Sequence, residues 1–396
     1  MSEYTDMMCY LLTAYREARR HKANTASCIR FSMNLEEELD ELARTIMDQT
    51  YTMRRSIRFP VKTPVLREVI AADFRDRVPH HYVYDYVNPH LELELIDDCY
   101  SCRVGRGTGY GVDRLEHHIR SCSQNYTRPC WVLQLDLSGY FMSINRQKLL
   151  AMAEGLMERI GRKRDDHGQL LGEQPRHRYV AWLLRQIILY DPLSNCEVHD
   201  RQQLLPMLPR TKSLEYAPPG VGMPIGNLTS QMLSNLYLNG FCHWVKRVLR
   251  VKHFGDYVDD TYYISHDREW LLSLIPRIQQ YLAKELDLRL NLNKTRLTEC
   301  KKGVSFLGIH LKPYRRYVKS ETLWRMRQQI AEMSRVSPRE LQRQLVRQHL
   351  LACANSYLGV LCQVRSFRLR MELFPTYPFY RIAYATGGIE TFRQAA

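Results

Sequence analysis

The sequence has no run approaching the roughly 20 apolar residues that a membrane-crossing helix needs. Its best candidate, YVAWLLRQIILY at 179–190, is too short and carries Arg185. The opening MSEYTDMMCYLL lacks a basic region followed by a long apolar one, so no signal peptide is expected. There is no internal repeat and no low-complexity tract, which argues against a solenoid and against a long disordered linker. No GxxxxGK[ST] motif occurs, and GRGTGYG at 105–111 has no clear strand before it, so the common nucleotide-binding folds are disfavoured. Acidic residues are in deficit, 42 against 57 lysines and arginines, leaving a net charge of +15. That surplus calls for a polyanionic partner, nucleic acid first and anionic membrane second. The 11 cysteines are odd in number and scattered, as expected of reduced thiols. Cys99 and Cys102 have CxxC spacing, with His117, His118, Cys122 and Cys130 nearby. A zinc site can be drawn there, but a second CxxC is missing and the histidines are adjacent, so buried thiols are the default.

What is present fits an ordinary folded chain. The 396 residues are 45% hydrophobic, enough for two or three packed units. Residues 6–21 and 35–49 read as helices, the second with Asn34 as its N-cap and acids in its first turn. From 55 to 80 the chain is basic and strand-like, broken by Pro60 and Pro64. CWVLQLDLSGYF (130–141) alternates like a strand and stops at Gly139. GRKRDDHGQLLGEQPRH reads as an exposed loop or insertion. PPGVGMPIGN (218–227) is a turn feeding a helix with apolar residues at helical spacing. A hairpin around YVDD, a helix at 269–286 and short strands around NKTRLTEC and VSFLGIHLKP follow. Beyond Pro313 the chain reads as helical and arginine-rich, which sets a boundary near 312. Strands and helices alternate without strict βαβ order, so the class is α+β.

FGDYVDDTYYI (254–264) carries the chemistry. Neighbouring side chains on a strand point to opposite faces, but at a hairpin tip Asp259 and Asp260 can reach one site. Asp136 ends the strand VLQLDL in the same way. If these strands are neighbours, three carboxylates converge, and such a cluster needs cations. Two Mg²⁺ ions spaced for in-line phosphoryl transfer are the usual answer. The plainer alternative is a solvated turn, since aspartate favours turns.

Taken together, these segments resemble a reverse transcriptase. YVDD (257–260) resembles the family's YxDD signature, LDLSGYF (135–141) the segment with the first metal-binding aspartate, and GMPIGNLTSQ (222–231) the segment under the incoming nucleotide. REVIAADFRDRVPHH (67–81) resembles the fingers segment, and LNKTR (292–296) and VSFLG (304–308) the last two palm motifs. The resemblance covers about 60 to 310, with all six in the family's order. It implies a right-hand polymerase fold: an N-terminal helical segment at 1–54, fingers at 55–130, an antiparallel-sheet palm at 131–311 with a fingers-type insertion at about 161–215, and a helical thumb and tail at 312–396. IGNLTSQ stands where group II intron and retron enzymes usually carry QGxxxSP. Ile225 and Gln231 at those two places are typical of diversity-generating retroelements. CYSCRVGRGT (99–108) and NSYLGVLCQVRSFRLR (355–370) also look like that subgroup. Its enzymes copy a template RNA into cDNA, misincorporate opposite adenine, and let the mutated cDNA replace part of a target gene.

The resemblance implies roles by residue. Asp136 and Asp259, supported by Asp260 and the Leu137 carbonyl, would bind two Mg²⁺ ions, with Mn²⁺ as substitute. Lys62, Arg67 and Arg75 would clamp the triphosphate of a dNTP. Phe141 is either the steric gate against a ribose or a core aromatic. Ile225 would contact the nascent base pair, Gly226 would let the backbone approach the substrate, and Gln231 would touch template or primer. Lys294 either serves the pyrophosphate or is a solvated lysine. Arg339, Arg343 and Arg347 form a helical stripe, either gripping the RNA/DNA duplex or simply solvated. Implied partners are template RNA, dNTPs and a small basic accessory protein; no membrane is implied, and the compartment is cytoplasmic, in a bacterial, archaeal or phage-encoded setting. The alternatives are a retron, group II intron-like or antiviral reverse transcriptase, or an RNA-binding relative without catalysis. No endonuclease, RNase H or zinc-finger pattern is found, and ATGGIETFRQAA at the C-terminus matches no pattern.

Overall fold

A computed structural model describes residues 2–62, 65–341 and 343–374, without the side chains of Pro338, Leu341, Leu345 and Arg347. Pro64, the Arg347 side chain and the tail ATGGIETFRQAA lie outside the described residues. Elements are numbered in chain order. The chain divides into two compact units, the first being Met1–Gly105, Gln134–Tyr262 and Leu272–Thr295.

The first unit opens with α1 (Glu3–Arg19), α2 (Ala26–Met33) and α3 (Leu35–Met47). In α3 the acids Glu36, Glu37 and Glu38 fill the first turn, where the helix dipole favours negative charge. Leu39, Leu42, Ala43 and Ile46 face inward at helical spacing. Asn34 occupies the N-cap position as expected, but its side chain makes no capping bond. Next, β1 (Ser56–Val61) and β2 (Arg67–Ala72) form an antiparallel hairpin, Ser56 opposite Ala72 and Val61 opposite Arg67. A third strand, β4 (Cys196–Val198), joins β1 in parallel, so the segment read as an insertion supplies an edge to this sheet. That segment also contains α8 (Pro175–Leu189), started by proline at its first position.

The helix α4 (Phe74–Glu94) was not read from the sequence, because Pro79 and Pro89 look like breaks. Asp73 caps it by accepting from the Arg75 N–H. Buried residues surround it, including Arg75, Asp76, His80 and Asn88, so no amphipathic stripe betrays it. The central helix of the unit is α9 (Leu228–Arg247). Tyr140 reaches its Ser234 carbonyl at 2.7 Å, and its own Tyr237 reaches the Leu286 carbonyl at 2.6 Å. The strand β5 (His253–Tyr257) turns into β6 (Asp260–Ser265), and β6 lies beside the end of β3 (Trp131–Asp136). α6 (Tyr140–Ser143), α7 (Arg146–Gly161) and most of α10 (Arg268–Leu286) complete the unit.

The second unit is Arg106–Leu133, Tyr263–Leu271 and Arg296–Ala396. It holds α5 (Thr108–Cys122), the short strand β7 (Arg296–Glu299) and an antiparallel sheet β8 (Val304–Phe306), β9 (Ile309–Lys312) and β10 (Arg315–Val318). The strand β10 corrects the expectation that the chain is helical from Pro313 onward. Arg316 on β10 is anchored to α5 by Glu116 at 2.6 Å and Asp113 at 2.6 Å. After it come α11 (Ser320–Met333), α12 (Pro338–Leu341), α13 (Gln344–Leu361) and α14 (Phe367–Leu373), with Met326 and Ile330 of α11, Leu350, Ala354, Leu358 and Leu361 of α13, and Leu373 of α14 in one core.

Candidate active site

The site grows from the β5–β6 hairpin, whose loop is only Val258 and Asp259. Val258 has φ +61°, a left-handed conformation that a β-branched residue adopts at a cost of about 1–2 kcal/mol. Beneath the tip, Gly255 faces Tyr262: a Cβ there would stand 2.4 Å from the ring. The tyrosine hydroxyl meets Tyr100 at 2.7 Å. A close-packed, hydrogen-bonded base therefore holds the strained tip.

Three backbone bonds bring the acids together. The Leu137 N–H donates to the Asp259 carbonyl at 3.0 Å, the Asn291 N–H to the Asp136 carbonyl at 2.8 Å, and the Ser138 N–H to the Arg289 carbonyl at 2.9 Å. Asp136 is buried at the end of β3, and each of its carboxylate oxygens has a donor. Lys294 Nζ lies 2.8 Å from Oδ1 and Asn291 Nδ2 3.1 Å from Oδ2. Burial and the nearby Asp136 push the Asp259 carboxyl up, opposed by its own backbone, Lys294 and Arg67. Crowding by protein, then Asp259 and Asp136, push Asp260 up to about 7, although its surface is exposed and water screens part of this effect. Lys294 is partly desolvated, which opposes its charge, but the bond to Asp136 and the surrounding carboxylates raise it overall.

Among the described residues, no group of three or more His, Cys, Asp or Glu stands ready-made around a metal position. The donor chemistry nonetheless fits a hard divalent cation: three carboxylates, with a lysine ammonium already supplying positive charge at Asp136. No disulfide joins the described cysteines, and Cys99 and Cys102 differ in setting, the first buried and the second exposed.

The remaining expected residues distribute unevenly. Arg67 stands exposed at the start of β2 and within electrostatic reach of Asp259. Arg75 departs from the expected triphosphate clamp. It is 4% exposed, and its guanidinium is held by Glu38 at 3.1 Å and Glu41 at 2.8 Å, so its charge is already paired inside the helical core. Lys62 is exposed beyond β1 and lines a cleft of about 680 Å³ with His199 and Arg201. Phe141 is half-buried on α6 against Tyr140, and its carbonyl accepts from the Met223 N–H at 2.8 Å.

The loop before α9 is stitched to β2. The Ile70 N–H donates to the Ile225 carbonyl at 2.8 Å, and the Ala72 N–H to Asn227 Oδ1 at 2.9 Å. Gly226 has φ +136°, and a Cβ there would meet Val69 at 2.9 Å and the Ile70 carbonyl at 3.1 Å. The close approach that Gly226 makes here is thus to β2, which corrects the simple picture of room left for a substrate. The Ile225 side chain packs half-buried against Ile70, Met142 and Leu214. Gln231 is exposed on α9. Leu137 is buried, paired in a bridge with Leu290.

The arginine stripe is corrected. Arg339 lies on α12, whereas Arg343 is the extended N-cap of α13, so no continuous helix carries them. Both are exposed; the Arg347 side chain is outside the described residues.

Sequence reasoning missed Asn291, Asn227 and Asp256. Asp256, three residues before Asp259, is 1% exposed. One of its oxygens has only the Cys99 thiol at 3.5 Å and the other has no partner. Burial pushes it up to about 8, with Asp259 and Asp260 adding to the push and the thiol opposing it. A third aspartate in FGDYVDD was the available signal.

No curated protein matches the chain. Among solved structures it is similar to a telomerase from Candida tropicalis truncated from the C-terminal domain, at 10% identity and a TM-score of 0.47, covering 67% of this chain and 55% of that one. It is similar to telomerase from Candida albicans in complex with a TWJ fragment of telomeric RNA, at 11% identity and 0.46, covering 85% and 58%. For the apo telomerase from Candida tropicalis the figures are 12% and 0.47, covering 83% and 60%. The chain thus spans less than two thirds of the length of these structures. Residues 189–311, which contain Ile225, Gly226, Asp259, Asp260 and Lys294 but not Asp136, match the model of the reverse transcriptase (RNA-dependent DNA polymerase) family. Within this α+β chain, residues 189–311 are thus similar to a reverse transcriptase domain, and the enzyme class that this match indicates is RNA-directed DNA polymerase, a nucleotidyltransferase.

Proposed function

We propose that the whole chain copies a template RNA into cDNA, in the error-prone manner of diversity-generating retroelements. The observation that carries the proposal is the meeting of Asp136, Asp259, Asp260 and Lys294 at the hairpin tip. Asp136, Asp259 and Asp260 would hold two Mg²⁺ ions, which when bound polarise the oxygens exchanged in phosphoryl transfer. Arg67, at the start of β2 and within electrostatic reach of Asp259, supplies positive charge toward the triphosphate. Lys294 holds a proton 2.8 Å from Asp136, where it can be donated to departing pyrophosphate. Phe141, half-buried on a short helix whose backbone is tied to Met223, would set its ring against the sugar. Ile225 offers no hydrogen bond to a base pair, so accuracy rests on shape. The backbone ties to Ile70 and Ala72 make that shape a joint property of the loop and β2.

Template RNA, the RNA/DNA duplex, dNTPs and a small basic accessory protein are the partners of this reading. The +15 charge supports the first two through salt-sensitive phosphate contacts. The test is sequencing of DNA made by the purified protein from a primed RNA with Mg²⁺ and four dNTPs, beside an Asp259→Ala variant and an RNA-free control. The expected product is templated cDNA with errors concentrated opposite adenine, absent from both controls. Faithful cDNA would remove the diversity-generating part; DNA in the RNA-free lane would point to untemplated synthesis.

A further inference from the structure

In the first unit, β2 is the edge strand of its sheet, and residues 225–227 lie along that edge. An edge strand turns alternate N–H groups away from its sheet. Those of Ile70 and Ala72 each find an acceptor in this segment, the Ile225 carbonyl at 2.8 Å and Asn227 Oδ1 at 2.9 Å. A neighbouring strand would offer a backbone carbonyl at both places. Asn227 does not, because it is the N-cap of α9, with φ −102° and ψ +144°, and the carbonyl of an N-cap starts the helix's own hydrogen-bond ladder. Its side-chain oxygen takes the part of the strand carbonyl. The helix gives something up for this. An N-cap asparagine ordinarily accepts from an N–H in the first helical turn, and the Asn227 side chain makes no such bond.

The rest of α9 shows what is held in place. Thr229 is wholly buried, and its hydroxyl meets His80 Nδ1 on α4 at 2.6 Å. The start of α9 is therefore bound both to β2 and to the helix that follows it. Farther along, the Ser234 carbonyl of α9 accepts from Tyr140, just past Asp136. One helix thus connects the strand that begins at Arg67 with the strand that ends at Asp136. Asn227 is where β2 is set against that helix.

We propose that Asn227 is a positioning residue of the nucleotide pocket: by holding the end of β2 through Ala72, it fixes Arg67 and Ile225 in their places before a dNTP enters. This rests on the polymerase reading above. Asn227 acts through populations. With its bond lost, the strand and loop reach the competent arrangement less often, and the apparent dNTP affinity falls by that fraction. The step after binding is spared, since Asp136 and Asp259 are held by the backbone bonds of Asn291 and Leu137.

The test is single-turnover extension of a primed RNA by the full chain and by Asn227→Ser, over a range of dNTP concentrations with Mg²⁺, beside hydrogen exchange of residues 67–73. Serine is as good an N-cap as asparagine, but its oxygen is one bond too short for Ala72. The expected variant melts close to the parent and exchanges faster at residues 67–73. Its half-maximal dNTP concentration rises about fivefold, the effect of one hydrogen bond, while the maximal rate stays within about twofold. Asn227→Asp keeps an acceptor at full reach and should restore the parent's dNTP affinity. Should Asn227→Ser fail to fold, Asn227→Thr, equally short and also a capping residue, decides. Parent-like dNTP affinity or parent-like exchange in the folded short variant overturns the positioning role. So does a loss confined to the maximal rate, or a loss of affinity that Asn227→Asp shares. A parent chain that makes no DNA overturns the polymerase reading itself, and the role falls with it, so the parent lane tells the two failures apart.

Discussion

Two sheets in the first unit treat charge in opposite ways. On the β1–β2 sheet, Glu68 is 1% exposed and every demand on it is met: Arg58 at 2.6 Å, the Ser213 hydroxyl at 3.0 Å and the Leu214 N–H at 2.6 Å. Arg58 in turn reaches Glu215 at 2.7 Å. At the β5–β6 hairpin, Asp259 and Asp260 crowd each other and Asp136, and the Lys294 ammonium pairs with Asp136. The first arrangement is what a scaffold does with buried charge. The second is what the proposed reaction would draw on, and the raised Asp259 and Asp260 carboxyls record the difference.

The contrast is open to four experiments. The largest effect is on activity: Asp259→Ala should reduce cDNA synthesis to background while leaving the melting temperature unchanged or higher, since it relieves like-charge crowding. A variant that both melts early and fails to polymerise would place Asp259 with the scaffold. Next, Glu68→Ala should lower stability by about 3–5 kcal/mol in denaturant titration, because it leaves Arg58 to the exposed Glu215 and removes the acceptor of the Leu214 N–H. Replacing both partners with apolar residues of similar size should recover most of that loss; no recovery would mean that the Ser213 and Leu214 contacts dominate.

The third concerns Asp256. Its carboxyl is raised in the folded state, from 3.8 to about 8, so between about pH 4 and 8 the native chain holds a proton that the unfolded chain has released. Stability contributed by this group is therefore full below pH 4, falls as pH rises, and levels off above pH 8. Asp256→Asn should be neutral at pH 4 and stabilise by about 2 kcal/mol above pH 8. Identical pH profiles for variant and parent would remove Asp256 from the account. The smallest effect expected is from Ile225→Gln, which should lower the error frequency severalfold in sequenced cDNA with little change in stability; unchanged errors would separate Ile225 from fidelity.

Much of the catalytic outline is written locally in the chain. Strand alternation ending at Asp136, a two-residue turn at Asp259, and a Pro/Gly turn feeding α9 are each visible within a dozen residues. Arg75 shows where local reading stops. Its spacing suited a phosphate clamp, but its partners Glu38 and Glu41 come from a helix more than thirty residues earlier. Asn291 meets Asp136 across 155 positions, a contact that no periodicity encodes. The helix α4 hid behind two prolines and a belt of buried polar residues, several of them held by tertiary partners, such as Tyr51 and Arg54 at Asp76 and Thr229 at His80. The arginine stripe failed for a simpler reason: Arg343 is extended ahead of α13, while Arg339 lies on α12.

Val258 carries a lesson for engineering. Selection for heat resistance alone would favour glycine at this tip, where the left-handed backbone burdens a branched side chain. Glycine would also widen the range of conformations open to the loop, and the Asp259 carbonyl would hold its place opposite Leu137 less firmly. A library screened only by survival after heating would thus drift toward robust but inaccurate or idle proteins, and thermal and catalytic screens of this chain need to be run as a pair.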